Sequence, residues 1–276
     1  MTASALIDPA RERAYAKDLA RGFGGALIFG FPLLMTMEMW RFGLYLDRPR
    51  LAVFIGLSLP LLYGLAKYAG FSRHRGLRHD LLDALGALAV GFITSGVLLA
   101  LFGVLTPDAT LDEIAGKLAL QAMPAAVGAL LARRQLAGAG GAESGEEEDA
   151  SYFGEVFLMA AGALFLAFNV APTEEMILIA YKMSPWHTLA LAVLSIALLH
   201  AFVYSVGFAG QEAHDRPWVA FAHYTLVGYA VALIISLYVL WVFGRTDGQA
   251  LAELASITVV LAFPAALGAA AARLLV

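Results

Sequence analysis

Eight stretches of this chain are apolar over roughly 20 residues each, the length an α-helix needs to cross a hydrocarbon core about 30 Å thick. They run over residues 22–46, 51–69, 81–105, 111–132, 153–181, 187–208, 217–243 and 250–272, bounded by charge, proline or glycine. In lipid a segment must satisfy its own backbone hydrogen bonds, so runs of this length predict an all-α, polytopic membrane protein of about eight transmembrane helices. Composition agrees: of 276 residues 61% are hydrophobic and only 14% charged, too few charges to wet the surface of a soluble globule. The first run has a basic preface (Arg11, Arg13, Lys17, Arg21) but no small-residue cleavage pattern, so it is expected to stay in the mature protein.

The same composition removes several function classes. A net charge of −4 gives no electrostatic case for nucleic acid. The absence of cysteine excludes disulfides, thiolate metal sites, iron–sulfur clusters and cysteine nucleophiles. The chain has no His-Glu-x-x-His, no Gly-x-Ser-x-Gly, no Walker loop and no lysine in its last helix for retinal. We therefore expect no enzyme and no cofactor.

Orientation follows from the basic residues. With the N-terminus in the cytoplasm, that side receives Arg11, Arg13, Lys17, Arg21, Lys67, Arg73, Arg75, Arg78, Arg133, Arg134, Arg216 and Arg273. The other face receives Arg41, Arg48, Arg50, Lys117, Lys182 and Arg245. The excess predicts both termini in the cytoplasm of a bacterial inner membrane. Trp40, Tyr45, Tyr68, Tyr152, Tyr181, Trp186, Trp218 and Trp241 fall near span ends, where amphipathic rings sit at the headgroup level.

The chain also matches itself. Gly25-Ala-Leu-x-x-x-Phe31-x-x-x-x-Thr36-x-Glu38-Met39 aligns without a gap on Gly162-Ala-Leu-x-x-x-Phe168-x-x-x-x-Thr173-x-Glu175-Met176. The register holds through Leu57-Ser58 and Leu194-Ser195, Gly70-Phe71 and Gly207-Phe208, and Val90-Gly91 and Val227-Gly228. After a short insertion, Leu111, Glu113, Pro124, Gly128 and Arg133 match Leu251, Glu253, Pro264, Gly268 and Arg273. Leucine and alanine recur in any apolar helix, so the matched Glu, Pro, Thr and Arg carry the inference of a tandem repeat. The organisation expected is a cytoplasmic segment 1–20, a four-helix repeat 21–134, a linker 135–151 and a second four-helix repeat 152–276. Each repeat holds an even number of spans, so the two insert in parallel, as if from a fused homodimer. The linker carries Glu143, Glu146, Glu147, Glu148 and Asp149 among Gly and Ala, the pattern of a solvated connector.

Most matched positions have a packing explanation. Pro124 and Pro264 sit mid-helix, Gly128 and Gly268 allow close approach, Glu113 and Glu253 open a helix, and Arg133 and Arg273 snorkel at helix ends. Glu38 and Glu175 are different, because each falls inside an apolar run where a carboxylate costs about 2.5–3.5 kcal/mol on insertion scales. Thr36 and Thr173, two residues earlier, offer hydroxyl oxygens of the kind hard cations accept. The second copy reads Asn169-Val-Ala-Pro172-Thr173-Glu174-Glu175, so span five is expected to break and release carbonyls toward a cavity, with Asn169 and Glu174 as secondary ligands. The structural alternative is a pair of locks, Glu38 to Arg41 and Glu175 to Lys182. His200 and His223 are read as hydrogen-bonded interior residues rather than a metal pair, and His74 and His79 as exposed.

The duplicated pattern, with Phe-x-x-x-x-Thr-x-Glu-Met in its first and fifth helices, resembles a family of bacterial integral membrane proteins that has no assigned activity. That resemblance covers nearly the whole chain and implies no catalytic or binding residues. The residues themselves lead to the expectation of a cation channel or a cation- or proton-coupled transporter, with lipid and an inorganic cation or proton as partners. A homo-oligomer, best a dimer, is expected to gather the glutamates. The competing expectation is a membrane scaffold or assembly factor in which the glutamates are structural.

Overall fold

The computed structural model describes residues 9–68, 77–138, 152–205, 218 and 221–274. The acidic run Glu143 to Asp149, His74, and the matched pairs Gly70-Phe71 and Gly207-Phe208 lie outside them. The described residues form ten α-helices and one π-helical turn. In chain order these are α1 (Pro9–Leu34), α2 (Met37–Tyr45), α3 (Arg48–Tyr68), α4 (Leu77–Leu101), α5 (Leu111–Gly138), α6 (Tyr152–Val170), α7 (Glu175–Lys182) and α8 (Pro185–Ser205). The π turn (Phe221–Leu226) then leads into α9 (Val227–Val242), and α10 is Leu251–Leu274. Seven of these segments are long and apolar enough to cross a membrane, or eight if α1 and α2 count as one bent span. The protein is an all-helical polytopic membrane protein, and each of the eight expected apolar runs coincides with one of these segments.

Two runs do not form single helices. The first divides between α1 and α2, which meet at 81°, and the fifth divides between α6 and α7. Apolarity measures length but is blind to direction, so a span and the short helix after it read as one run.

The described residues divide into two compact units. Unit 1 holds the chain up to Gly43 and from Ser58 to Ala142; unit 2 holds Leu44–Leu57 and the chain from Glu143 onward. In unit 1, α5 is the central helix, packed on α1 and on α4, which also touch each other. In unit 2, α10 takes that place, packed on α6, α9 and α8, with α6 against α9. The packing of α1 and α4 on α5 has its counterpart in that of α6 and α9 on α10, whereas the contact of α8 with α10 belongs to unit 2.

In each unit a matched pair of glycines brings two helix backbones close together. A β-carbon at Gly25 would collide with the carbonyl oxygen of Gly128 and the methyl of Ala132, and one at Gly162 with the carbonyl oxygen of Gly268 and the methyl of Ala272. Lipid tails are as apolar as leucine, so helices in a bilayer associate through close van der Waals contact, which small residues permit. Pro124 and Pro264 lie within α5 and α10, and both helices continue through them.

The helix starts also correspond. At α5 the Glu113 backbone N–H donates to Thr110 Oγ1 at 3.2 Å; at α10 the Ala250 N–H donates to Glu253 Oε2 at 3.3 Å. Each repeat keeps a different half of one capping box. In unit 1 the Glu113 carboxylate is engaged instead by Lys117, whose Nζ lies 2.5 Å from Oε1 and 3.0 Å from the Val104 carbonyl.

Unit 2 includes a segment that the repeat boundaries assign elsewhere. Residues 44–57, which contain the first half of α3, cluster with the second half of the chain. Phe54 stacks on Phe168 with centroids 5.0 Å apart, and Phe168 meets Phe243 at 5.0 Å. Arg50 donates to Asp247 at 2.8 Å and lies over the Trp241 ring, 5.5 Å from its centroid.

Candidate site at the duplicated helix breaks

The Thr-x-Glu-Met elements sit at the breaks themselves. In the first copy α1 ends at Leu34, Met35 and Thr36 form the turn, and Glu38 falls in the first turn of α2. In the second, α6 ends at Val170, residues 171–174 form the turn, and Glu175 opens α7. A one-residue offset aside, the interruptions are in register, although Pro32 and Pro172 are not. The shared threonines mark them better than the prolines do.

Each threonine turns its hydroxyl back on its own helix. Thr36 Oγ1 donates to the Pro32 carbonyl at 2.7 Å and Thr173 Oγ1 to the Val170 carbonyl at 2.9 Å. Short side chains that bond to nearby backbone carbonyls compete with helix propagation, which is why they collect at helix ends. Asn169 behaves similarly, its Nδ2 donating to the Phe165 carbonyl at 2.7 Å.

The carbonyls released by each break are taken up by side chains from the same unit. Leu34 accepts from Trp40 Nε1 at 2.8 Å, and Leu33 from Gln121 Nε2 at 3.3 Å, with Gln121 fully buried in α5. Pro172 accepts from Arg245 Nη2 at 2.7 Å. A guanidinium here also meets the negative end of the α6 dipole. The expectation of carbonyls freed toward a cavity is thus corrected: an unmet carbonyl in an apolar setting costs several kcal/mol, and nearby polar side chains meet these. Gln121 and Arg245 have no polar counterpart in the other repeat, so comparing the repeats did not single them out.

The carboxylates are placed differently from the reading of a continuous span. The 20 residues Tyr15–Leu34 alone extend about 30 Å, a full bilayer core. α2 then departs at 81° from the α1 axis, so Glu38 stands beyond the bend, in the short helix rather than in the long one. Glu175 likewise follows α6, itself long enough to cross. Glu38 is half-buried; Glu174 and Glu175 are exposed. None of the three carboxylates has an ion pair or hydrogen bond among the described residues, so the locks Glu38 to Arg41 and Glu175 to Lys182 do not form there. An acidic residue in a first turn complements the helix dipole, which lowers the cost of keeping it there.

Opposite the second break, the turn between α9 and α10 presents Arg245 to the Pro172 carbonyl and Asp247 to Arg50. The Arg50 hydrogen bond holds the Asp247 carboxyl below the usual carboxylate range, and the Thr106 hydroxyl does the same for Asp108 in the turn between α4 and α5. His200 accepts or donates a 2.9 Å hydrogen bond with Thr225 and packs edge-on against Phe221, an interior histidine as expected. The ring of the exposed His223 meets Tyr152 edge-on at 6.3 Å. His79 is exposed, 3.9 Å from Asp83. Among the described residues no three histidine or acidic side chains converge as metal ligands would.

Residues 18–276 match the family described as "Putative integral membrane protein (DUF2391)". The match takes in all the described spans but the first three residues of the first, and the chain belongs to this family of integral membrane proteins. No curated protein and no solved structure matches it.

Proposed function

We propose that this member of the DUF2391 family is a cation transport protein, a channel or a cation- or proton-coupled transporter rather than an enzyme. Glu38 and Glu175 are its cation-attracting groups. One observation carries the reading: both copies of Thr-x-Glu-Met fall at a helix break, each with a carboxylate that no basic group of the described residues neutralises. Interrupted helices are the device by which many transporters place polar groups at membrane depth, and rings of carboxylates concentrate cations at a pore mouth.

In this reading the glutamates, each in the short helix after a break, recruit and select cations at the outer mouth rather than forming a midplane filter. Thr36 and Thr173 hold the breaks, and Asn169 and Glu174 are auxiliary. The protein sits in a bacterial inner membrane with both termini in the cytoplasm.

A second reading has its own support. Arg245, Gln121 and Trp40 satisfy the broken backbone without any ion, as a scaffold or assembly factor would require. Cation flux into proteoliposomes distinguishes the two. Wild-type protein is expected to pass at least one cation of a monovalent and divalent panel, and Glu38→Gln with Glu175→Gln to lower that flux by about tenfold. Undiminished flux in the double variant, or none for any cation in the wild type, overturns the transport reading.

A further inference from the structure

Unit 2 contains the one π-helical turn among the described residues, Phe221–Leu226, where the chain enters α9. The repeat register aligns it with residues 84–89, which run inside α4 as ordinary α-helix. No residue is inserted there, since Val227-Gly228 still matches Val90-Gly91 at the same offset. A π turn lengthens the helical hydrogen-bond spacing to i→i+5 and is frequent at functional positions. Here it holds Thr225, fully buried, against His200 of α8: Oγ1 lies 2.9 Å from Nδ1, and the Phe221 ring meets the imidazole edge-on at 5.1 Å.

One turn further along α9 the Tyr229 hydroxyl faces Ser195 of α8 without closing a hydrogen bond to it. Tyr229 is 7% and Ser195 1% exposed. Ser195 donates instead to the Leu191 carbonyl of its own helix at 2.7 Å. Between the two pairs Gly228 lies against Leu199 and Met159, so the seam is tight. Two turns beyond Tyr229, Ser236 Oγ is also buried and has no partner among the described residues. A buried hydroxyl left unbonded costs about 1–3 kcal/mol. Helix packing does not demand these hydroxyls, because the matched positions of α4 hold Leu88 for Thr225 and Phe92 for Tyr229.

Imidazole is the side chain whose charge ordinarily changes between pH 5 and 8. A hydroxyl suits such a ring as partner: Thr225 Oγ1 donates to a bare Nδ1 and accepts from a protonated one, so the contact survives in both states. The elements packed on α8 are the π turn, α9 and α10. Their described titratable side chains are His223 and Tyr224, Tyr229 and Tyr238, and Glu253, with His187 on α8 itself. His223 and Tyr224 turn to Tyr152, and Tyr238, nine residues from Tyr229, lies on the opposite side of α9. Glu253 caps α10 beside the Thr188–Ser256 contact, and His187 bonds Ser184. Both therefore lie at the start of α8, about 18 Å along the helix from His200. Tyr229 is the one that shares the seam.

We propose that His200 is the proton-binding group of unit 2, presented by the π turn, and that Tyr229 and Ser195 are the next hydroxyls on the proton's path. Uptake adds one proton to the neutral ring and release removes it, with no other bond made or broken. Each hydroxyl gives up one proton as it takes another. This assignment rests on the transport reading and deepens it: the coupled ion of unit 2 is the proton. Glu175, before the start of α8, attracts cations, and His200 binds the coupled proton.

The purified full chain is placed in proteoliposomes with a potassium diffusion potential as driving force and entrapped pyranine as pH reporter. Wild type is expected to admit protons. His200→Gln, Thr225→Val and Tyr229→Phe should each lower the rate about tenfold with melting and elution unchanged, and Thr225→Ser should restore it. A seam that serves packing alone would spare Tyr229→Phe, which installs the residue of the matched position. Wild type that passes no cation of any kind overturns the transport reading and this assignment with it. Wild type that passes other cations but no protons overturns this assignment alone, as does a proton rate unchanged in His200→Gln or Tyr229→Phe. If His200→Gln loses the wild-type elution profile, Tyr229→Phe and the two Thr225 variants decide.

Discussion

Arg245 illustrates how a charged residue near a membrane face is understood only from its partner. In the sequence it counts as one of six basic residues expected on the outer face, with nothing matched to it in the first repeat. In the fold its guanidinium bonds the Pro172 carbonyl, left unpaired where α6 stops. A hydrogen bond from a charged donor contributes about 1.5–3 kcal/mol, and its loss leaves a carbonyl unmet. Arg245→Met, which keeps much of the side-chain volume, should therefore lower the melting temperature of the detergent-solubilised protein, and Arg245→Lys should recover part of it. Equal melting of Arg245→Met and wild type would show that the bond contributes nothing. Glu38 and Glu175 stand at the opposite extreme: their presence in both repeats was plain in the sequence, whereas their depth was not. Apolar neighbours on both sides suggested burial within a continuous span; the bend after Leu34 and the end of α6 at Val170 put both glutamates in the short helices beyond the breaks.

At the level of helices, the packing of α1 on α5 and of α6 on α10 rests on backbone approach at Gly25 and Gly162. Side chains there have no room to rotate away, since the obstructing atoms include backbone carbonyls of Gly128 and Gly268. Overpacking a tight contact costs about 1–3 kcal/mol, and a leucine stands at the upper end. Gly25→Leu and Gly162→Leu should each reduce thermal stability and monodispersity in size-exclusion chromatography, to similar extents. Gly24→Leu, at a position with open space around its β-carbon, should do neither. A loss confined to one of the paired sites would show that the units do not use their seams equally. These seams were legible beforehand, because small residues at fixed spacing in an apolar helix have few other uses. The interruptions were half legible: Pro172 announced the second, whereas Pro32 in the first copy lies three positions earlier than the residue that matches Pro172. In the event the register of the break follows Thr36 and Thr173, whose hydroxyls bond back to their own helices.

For the whole molecule, eight crossings with α1 and α2 as one bent span return the chain to the side from which it starts. In the orientation we propose, that side is the cytoplasm, as the excess of Lys and Arg there favours. A membrane-impermeant maleimide is accordingly expected to label Lys182→Cys in intact spheroplasts, and Arg78→Cys only after permeabilisation; the reverse order would invert the topology. Membrane class, helix content, the number of apolar runs and the matched halves were determined by sequence alone. Each depends on local hydropathy or on residue-by-residue similarity, which need no knowledge of distant contacts. Only the tertiary structure decided that Arg245 and Gln121 satisfy the broken helices, that Glu38 stands beyond a bend, and that residues 44–57 join unit 2. Those outcomes depend on where a helix turns and which distant side chain reaches its end, and a linear pattern of apolar residues carries neither direction nor distance.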